Sequence, residues 1–310
     1  MTGVAVQTPT VALEDVRLLA EGLAFPEGPV AMCDGSVIVV ELRGGRLTRI
    51  EPDGRVTTVC VTGGGPNGAA IGPDGAFYVC NNGGRLPGET CAPSIQRVDP
   101  VTGAVDVLYE SCDSVAFSSP NDLVFDADGG FWFTDFRGGS ILYARPDGSR
   151  IERVLGDADH PNGIGLSPDG GTLYWAQTFR RQVARRRVTG FGSLEATPGY
   201  DIASALYGSG TDPFALLAGL GGAQELDSLA VAADGSVCVG TLVESGITVI
   251  SADGAQVVRY VLPLEFDDVA VTNICFGGQG HGTAFITLSQ TGRVVSCPWP
   301  TPGLPLTFER

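Results

Sequence analysis

A short pattern recurs along this chain and constrains its fold more than any other feature. In each copy a polar residue opens an apolar strand, and a tight turn follows, as in "PNGAAIGPDGAFYVCN" and "PNDLVFDADGGFWFTD". In five copies an aspartate of the turn stands seven residues after the polar residue, and the sixth copy, "TNICFGGQGHGTAFITL", has Gly280 there. The six polar residues are Glu27, Asn67, Asn121, Asn162, Asp227 and Asn273.

The spacing of these copies predicts the architecture. Consecutive polar residues are 40, 54, 41, 65 and 46 positions apart, and repeats of this length with about four strands are blades of β-propellers. We therefore predict an all-β fold, a six-bladed β-propeller that occupies residues 1–310 as a single domain, with residues 1–14 as a flexible tail. The strand in "VALEDVRLLAEGLAF" is predicted to pair with the last blade near "GRVVSCPW" and close the ring.

The composition excludes several classes of function. Acidic residues outnumber basic ones 35 to 19, for a net charge of -16, which argues against binding nucleic acid or anionic membranes. We find no signal-peptide pattern and no apolar run of about 20 residues, so we expect a cytoplasmic protein. Eight cysteines without a C-x-x-C pair and only two histidines make a zinc site of these residues unfavourable. Homo-oligomerisation stays open.

The six polar residues predict a metal site. Because inner strands of a propeller line its central channel, we expect these residues to face a common axis, where they supply two carboxylates, four amides and no cation. Oxygen donors with net negative charge suit a hard divalent cation such as Ca²⁺ or Mg²⁺. The alternative is that Asn and Asp cap turns at the blade entrances. That alternative explains Glu27 poorly, since Glu is a poor turn former.

These motifs resemble a known family. The glutamate of "PEGP", followed by "PNDLVFDADGGFWFTD", "PNGIGLSPDG" and "LDSLAV", resembles the gluconolactonase/regucalcin (senescence marker protein) family over about residues 15–300. Bacterial drug-responsive lactonases and diisopropylfluorophosphatase are similar. The resemblance implies a propeller with a divalent metal in its channel, held by Glu27, Asn162 and Asp227. Asn121 matches a position that is a metal ligand in some members and a substrate contact in others.

The resemblance also implies hydrolysis of a lactone. The metal, Ca²⁺ before Mg²⁺, Mn²⁺ or Zn²⁺, would polarise the carbonyl, and Asp227 or metal-bound water would supply the nucleophile. Asn67 and Asn121 are predicted to bind the substrate, and His160 either shuttles protons near the channel mouth or is an ordinary loop histidine. The open alternatives are an isomerase, or another non-hydrolytic enzyme at the same metal site, and a non-catalytic calcium-binding propeller.

Some features bear on the choice of substrate. The segment "CDSVAFSSP" before Asn121 has no arginine, unlike sugar-lactone members, which argues against a polar sugar. Two insertions, 82–95 and 198–224, either cover the channel mouth as a lid or pack elsewhere. The second contains "DPFALLAGL", which is predicted to form a short helix. A lid would use four apolar side chains, Tyr207, Phe214, Leu216 and Leu217. Asp122 and Asp135 are expected to form salt bridges or turns, with a second cation site as the alternative.

Overall fold

The computed structural model describes residues 8–84, 91–196 and 216–309. Apart from one small separate hairpin, its strands lie in six sheets that are antiparallel except for one added edge strand, and the inner strand of each sheet packs beside that of the next until the ring closes on itself. This arrangement confirms the predicted six-bladed β-propeller. Among the described residues, we find no helix with the length and apolar character that a membrane span requires.

In chain order the strands are β1 (Thr10–Ala12), β2 (Arg17–Ala20), β3 (Pro26–Ala31), β4 (Val37–Glu41), β5 (Arg46–Ile50), β6 (Val56–Val61), β7 (Pro66–Ile71), β8 (Phe77–Asn81), β9 (Ser94–Val98), β10 (Val105–Tyr109), β11 (Ser111–Cys112), β12 (Val115–Ala116), β13 (Pro120–Phe125), β14 (Phe131–Asp135), β15 (Ser140–Ala144), β16 (Ile151–Leu155), β17 (Pro161–Leu166), β18 (Thr172–Gln177), β19 (Gln182–Gly190), β20 (Ser193–Leu194), β21 (Leu216–Gly219), β22 (Glu225–Val231), β23 (Val237–Leu242), β24 (Gly246–Ile250), β25 (Val257–Val261), β26 (Val271–Gly277), β27 (Thr283–Leu288) and β28 (Arg293–Pro298). Two 3-10 turns span Leu264–Phe266 and Gln279–His281.

Each blade begins at the channel and proceeds outwards. Blade one is β3–β6, blade two β7–β10, blade three β13–β16, blade four β17–β20, blade five β22–β25 and blade six β26–β28. The strands β11 and β12 form a separate small hairpin. The inner strands are β3, β7, β13, β17, β22 and β26, and they are almost wholly buried. Apolar side chains fill the space between neighbouring blades, such as Trp132, Tyr143 and Trp175 between blades three and four.

The N-terminal segment closes the ring as predicted. Strand β2 pairs antiparallel with β28, with Arg17 opposite Ser296 and Leu18 opposite Val295. This pairing supplies the fourth strand of blade six, so the edge of β28 is covered. The first and last parts of the chain therefore lie in one sheet.

The structure differs from the prediction of a flexible tail over residues 1–14. Thr10–Ala12 forms β1, which pairs in parallel with β25 and places Thr10 opposite Arg259. Leu13 follows and is buried in the core shared by blades five and six. A short β-branched and apolar stretch can add to an exposed sheet edge, and the burial of Leu13 holds this one in place. Residues 1–7 lie outside the described part.

The second insertion also departs from the prediction. The described end of "DPFALLAGL" is β21, which pairs antiparallel with β19 of blade four, so the predicted short helix is wrong there. Leu217 is buried in the core between blades four and five, and Leu216 is half exposed on the same strand. Neither therefore belongs to the predicted lid. Tyr207 and Phe214 lie outside the described residues.

The C-terminal segment covers one end of the channel. The Leu304 amide donates to the Val231 carbonyl (3.0 Å), and Thr307 Oγ1 donates to the Phe125 carbonyl (3.0 Å). Phe308 packs edge-on against Phe125. A cavity of about 390 Å³ lies beneath this segment, and its lining combines apolar residues of the inner strands with polar ones such as Asp122 and Asn273. The opposite end, where the inner strands begin, holds the predicted site.

Candidate metal centre and substrate cavity

The structure brings five of the six polar residues together. Each stands at or near the beginning of an inner strand and is buried, and a cavity of about 560 Å³ at this end of the channel is lined by Glu27, Asn67, Asn121, Asn162 and Asp227. The sixth, Asn273, lines the cavity at the other end, and its Oδ1 accepts a hydrogen bond from the Ile274 amide (2.8 Å). His160 also lines the larger cavity.

Glu27 is a buried carboxylate with few partners. Its side chain is 2% exposed, and it accepts a long hydrogen bond from the Gly28 amide (3.3 Å). Burial and then the negative charge of Asp227 raise the pKa of Glu27 well above its usual value, and hydrogen bonding to Thr272 offsets only part of this rise. No ion pair of the described residues includes Glu27. Within the described ranges, therefore, no cationic side chain pairs with its charge.

Asp227 shares this environment across the channel. The pKa of Asp227 is raised to about 7, chiefly by burial and also by the charge of Asp122, while a hydrogen bond with the Asn162 side chain opposes the rise. Strand β22 presents Asp227 next to Ser228, whose hydroxyl reaches Asn162 Oδ1 at 3.5 Å. Two carboxylates that repel each other in a buried place require a cation or a proton to relieve the repulsion.

The side-chain amides around these carboxylates have oxygen atoms that are available to a ligand. Asn162 Nδ2 donates to Thr178 Oγ1 (3.2 Å), which fixes the amide, and among the described residues its Oδ1 has the long contact from Ser228 (3.5 Å). The Oδ1 atom of Asn121 is buried and has no hydrogen-bond partner among the described residues. A buried amide oxygen without a donor costs about 1–3 kcal/mol, so these oxygens favour a ligand.

These residues fit a hard divalent cation. Their donor set is two carboxylates and two amide oxygens, all of a kind that Ca²⁺ and Mg²⁺ prefer. Within the described ranges, no three His, Cys, Asp or Glu side chains lie close enough to hold a metal ion by themselves. A metal here would therefore depend on the amide oxygens of Asn121 and Asn162 as well as on Glu27 and Asp227.

Asp122 is a buried acid whose position sequence analysis undervalued. It is 7% exposed, it accepts the Leu123 amide (2.9 Å), and burial raises its pKa to about 7. No ion pair of the described chain includes it. It stands one residue after Asn121, where blades one, two and four have glycine. This position is crowded, since a Cβ at Gly28 would lie 2.6 Å from the Asn67 carbonyl. An acidic residue where other blades have glycine was therefore the sequence signal that pointed to Asp122.

Asp135, by contrast, has the predicted turn role. Its carboxylate accepts hydrogen bonds from the amides of Ser118 (2.9 Å), Ser119 (2.6 Å) and Gly138 (3.2 Å). Three amide donors satisfy this buried group. It lies at the end of β14 and ties the following turn to the segment that enters β13.

Aromatic side chains line one side of the cavity mouth. His160 packs edge-on against Phe136 and Phe179, with ring centroids 5.1 and 4.8 Å apart. His160 Nδ1 lies 2.6 Å from Asp159 Oδ1, and Arg180 also contacts Asp159. This pairing orients the imidazole at the rim. Asn82, which begins the first insertion (82–95), also lines the cavity.

Two arginines that the sequence motifs did not reveal also lie at the cavity mouth. Arg43 lies over the ring of Phe25, with its guanidinium 4.5 Å from the ring centroid, and Arg137 follows Phe136. They come from turns of blades one and three, far apart in the sequence. The absence of arginine from "CDSVAFSSP" therefore does not leave the cavity without cationic side chains.

Comparison with known proteins identifies the family. A sequence profile described as the SMP-30/Gluconolactonase/LRE-like region matches residues 25–290. The chain belongs to this family. The resemblance stated from the motifs is thereby confirmed.

Curated relatives of this SMP-30/gluconolactonase family chain include two kinds of lactonase. It is 28% identical over 194 residues to a gluconolactonase of Zymomonas mobilis, which covers 53% of this chain and 52% of that protein. It is 30% identical over 189 residues to the lactonase drp35 of Staphylococcus saprophyticus, which covers 58% and 56%. The matched part thus spans about half the length of these relatives.

Solved structures of the same fold extend over nearly the whole chain. A gluconolactonase from Xanthomonas campestris matches with a TM-score of 0.73 and 24% identity over 93% of this chain and 91% of that one. Regucalcin from Agrobacterium tumefaciens, described as a calcium-binding protein, matches with a TM-score of 0.74 and 17% identity over 97% and 100%. At these identities the likeness shows the propeller fold.

Proposed function

We propose that this chain is a divalent-metal-dependent hydrolase that opens a lactone ring. One observation carries the proposal: Glu27 and Asp227 are buried together at one end of the channel without a cationic partner in the described residues, beside the unpartnered Oδ1 of Asn121. The curated relatives of this chain include a gluconolactonase and a lactonase. Together they favour a metal centre used for lactone hydrolysis.

Four side chains would hold the metal in this proposal. They are Glu27, Asn121, Asn162 and Asp227, with Thr178 orienting the amide of Asn162. We propose Ca²⁺ as the ion because all donors are oxygens and the site is shared between neutral and charged groups; Mg²⁺, Mn²⁺ and Zn²⁺ are the alternatives. When bound, such an ion acts as a Lewis acid toward a carbonyl oxygen.

The remaining chemistry belongs to the side chains. Asp227 takes the proton of the attacking water at a carboxylate oxygen, the water oxygen bonds to the lactone carbonyl carbon, and the ring C–O bond then breaks. The proton passes to the departing ring oxygen, so the product is a hydroxy acid and the atoms balance. Asn67 and Asn121 supply amide N–H donors at the cavity wall, and His160 supplies a ring nitrogen at the rim.

The test is add-back of metal to stripped protein with a panel of lactones. Aldonolactones, aliphatic γ-lactones and dihydrocoumarin would be assayed with Ca²⁺, Mg²⁺, Mn²⁺ or Zn²⁺. We expect metal-restored hydrolysis in the wild type and in Glu152→Gln, a surface carboxylate paired with Arg150, but not in Glu27→Gln. Hydrolysis that survives metal removal would overturn the proposal.

The same experiment separates the other functions. Metal binding without hydrolysis of any lactone would favour an isomerase or another non-hydrolytic enzyme at this site, or a non-catalytic calcium-binding propeller. A small-molecule lactone as partner, no nucleic acid or membrane partner, and a cytoplasmic location stay predictions from the sequence.

A further inference from the structure

We propose that Arg43 and Arg137 at the cavity mouth bind a carboxylate on the substrate, so that the preferred lactone is an anionic one. The proposal rests on the proposed function, because it names the substrate class of the same cavity. Both arginines line the cavity that holds Glu27 and Asp227.

The two arginines occupy equivalent turns in two blades. Blade one connects β4 to β5 through "LRGG", and blade three connects β14 to β15 through "FRGG". Each turn has four residues with arginine second, and each ends on a glycine with positive φ, Gly45 (58°) and Gly139 (61°). The propeller repeat therefore places both arginines at the same level around the channel, with blade two between them.

A buried carboxylate braces each of these turns. Glu41 ends β4 and accepts the Ala24 amide (2.7 Å), while the Arg43 amide donates to the Ala24 carbonyl (3.0 Å). In blade three Asp135 accepts the Ser119 amide, and the Phe136 amide donates to the Ser119 carbonyl (2.9 Å). Turns held at both ends lose less entropy when a ligand binds.

Because of these bracing contacts, Glu41 and Asp135 do not pair with the two arginines. The Glu41 carboxylate pairs with Arg46 and Thr48, and the Asp135 carboxylate with backbone amides. In the part of the chain that the structure describes, neither Arg43 nor Arg137 takes part in an ion pair, whereas Arg46, Arg97, Arg150, Arg180 and Arg259 do. All 19 basic residues are arginine, against 35 acids. At this cavity, therefore, two guanidinium groups have no acidic partner among the described residues and are available to an anionic ligand.

The rim around the arginines suits a flat anionic ligand. Arg43 is held over the ring of Phe25, and planar guanidinium groups bind carboxylates through paired N–H donors. Among the described residues, Glu225 is the other charged side chain at the rim that lines this cavity, and it lies on blade five. It would repel an anion and so favours binding on the side of blades one to three. A carboxylate held there leaves the lactone carbonyl free to face Asn121 and Asp227.

A matched substrate pair tests this inference. The kcat/KM values for γ-butyrolactone-γ-carboxylate and its neutral carboxamide would be compared in wild type, in Arg137→Gln, in the double variant with Arg43→Gln, and in Arg153→Gln. Arg153 is an exposed arginine on the outer strand of blade three and serves as the control. We expect a carboxylate-to-carboxamide ratio of about ten or more in the wild type and Arg153→Gln, falling toward one in the double variant.

The outcomes separate this inference from the proposed function. A wild-type ratio of one or less, or an equal loss on both substrates in the variants, would overturn the inference and leave lactone hydrolysis intact. If neither lactone is opened with any metal, the hydrolase proposal fails, and calorimetric binding of tetrahydrofuran-carboxylate against its carboxamide decides the inference. The inference would then be supported if the double variant, and not Arg153→Gln, binds the carboxylate more weakly than the wild type does. Circular dichroism checks that each variant is folded.

Discussion

Two pairs of buried carboxylates lie near the same end of the channel and have opposite surroundings. Glu41 and Asp135 end the second strands of blades one and three, and Glu27 and Asp227 stand near the beginning of the inner strands of blades one and five. All four are buried. Glu41 accepts two hydrogen bonds from Arg46 (both 2.7 Å), one from Thr48 (2.7 Å) and one from the Ala24 amide (2.7 Å).

The electrostatic consequences differ accordingly. Burial opposes the ionisation of Glu41, but hydrogen bonds from Arg46, Ala24 and Thr48 lower its pKa below the usual value. Burial and the charge of Asp227 raise the pKa of Glu27 instead. Burial alone therefore does not distinguish a structural acid from a functional one. The distinction lies in whether the fold supplies the donors or leaves them to a ligand.

The largest expected effect is on catalysis through the unpartnered pair. Glu27→Gln should lower kcat/KM for a neutral γ-lactone at least about a thousandfold, because the amide keeps the shape but removes a charge from the metal site. It should also raise the melting temperature of metal-free protein, since repulsion with Asp227 is removed. Steady-state assays and calorimetry measure both. Unchanged kcat/KM would mean that Glu27 has a structural role, as Glu41 does, and would contradict the distinction between the two acids.

The second effect is the stabilisation that a bound metal confers. A ligand at a hundred times its Kd adds about 2.7 kcal/mol to the free energy of unfolding, which for a chain of this size shifts the melting temperature by roughly 5 °C. We expect Ca²⁺ to produce this shift in wild type and in Glu152→Gln but not in Glu27→Gln. An equal shift in all three proteins would place the cation elsewhere.

The sequence predicts the six-bladed ring correctly but not the additional strands β1 and β21 at the edges of its sheets. The repeat predicted six blades and the closing strand β2 because turns and strand alternation are local properties. The three residues of β1 carry no such period, and their pairing depends on the free edge of β25. The apolar run ending in β21 fits helix or strand equally well, and the edge of β19 decides it.

The candidate site divides in the same way: the local repeat predicts some of its residues, and others are brought in only by the folded ring. Five marked polar residues meet in one cavity because the repeat places them there, while Asn273 lines the opposite end. The arginines Arg43 and Arg137 carry no local signal of a shared site, since ring geometry alone brings together turns from blades one and three. Among the residues that the structure describes, they lack acidic partners because Glu41 and Asp135 form their hydrogen bonds elsewhere.

The third effect concerns the stability that the partnered glutamate provides. Glu41→Gln should lower the free energy of unfolding by about 2 kcal/mol at pH 7, since the charge-assisted bonds to Arg46 are lost and Arg46 is partly exposed. The pKa of Glu41 is lowered by folding, so its contribution is present above the usual value of 4.5 and is lost as pH falls below it. Urea unfolding of both proteins at several pH values measures this. A difference that does not shrink on acidification would mean that packing, not charge, is lost.

The smallest effect should come from Asp135→Asn. The amide oxygen can still accept from some of the three backbone amides, while the new NH₂ group faces donors, so we expect a loss of about 1 kcal/mol in the free energy of unfolding. Stabilisation by Ca²⁺ should persist, because Asp135 binds its turn and not the ion. Urea unfolding with and without Ca²⁺ tests both statements. Loss of the calcium effect would move Asp135 into the class of Glu27 and show that the braces and the metal site form one network.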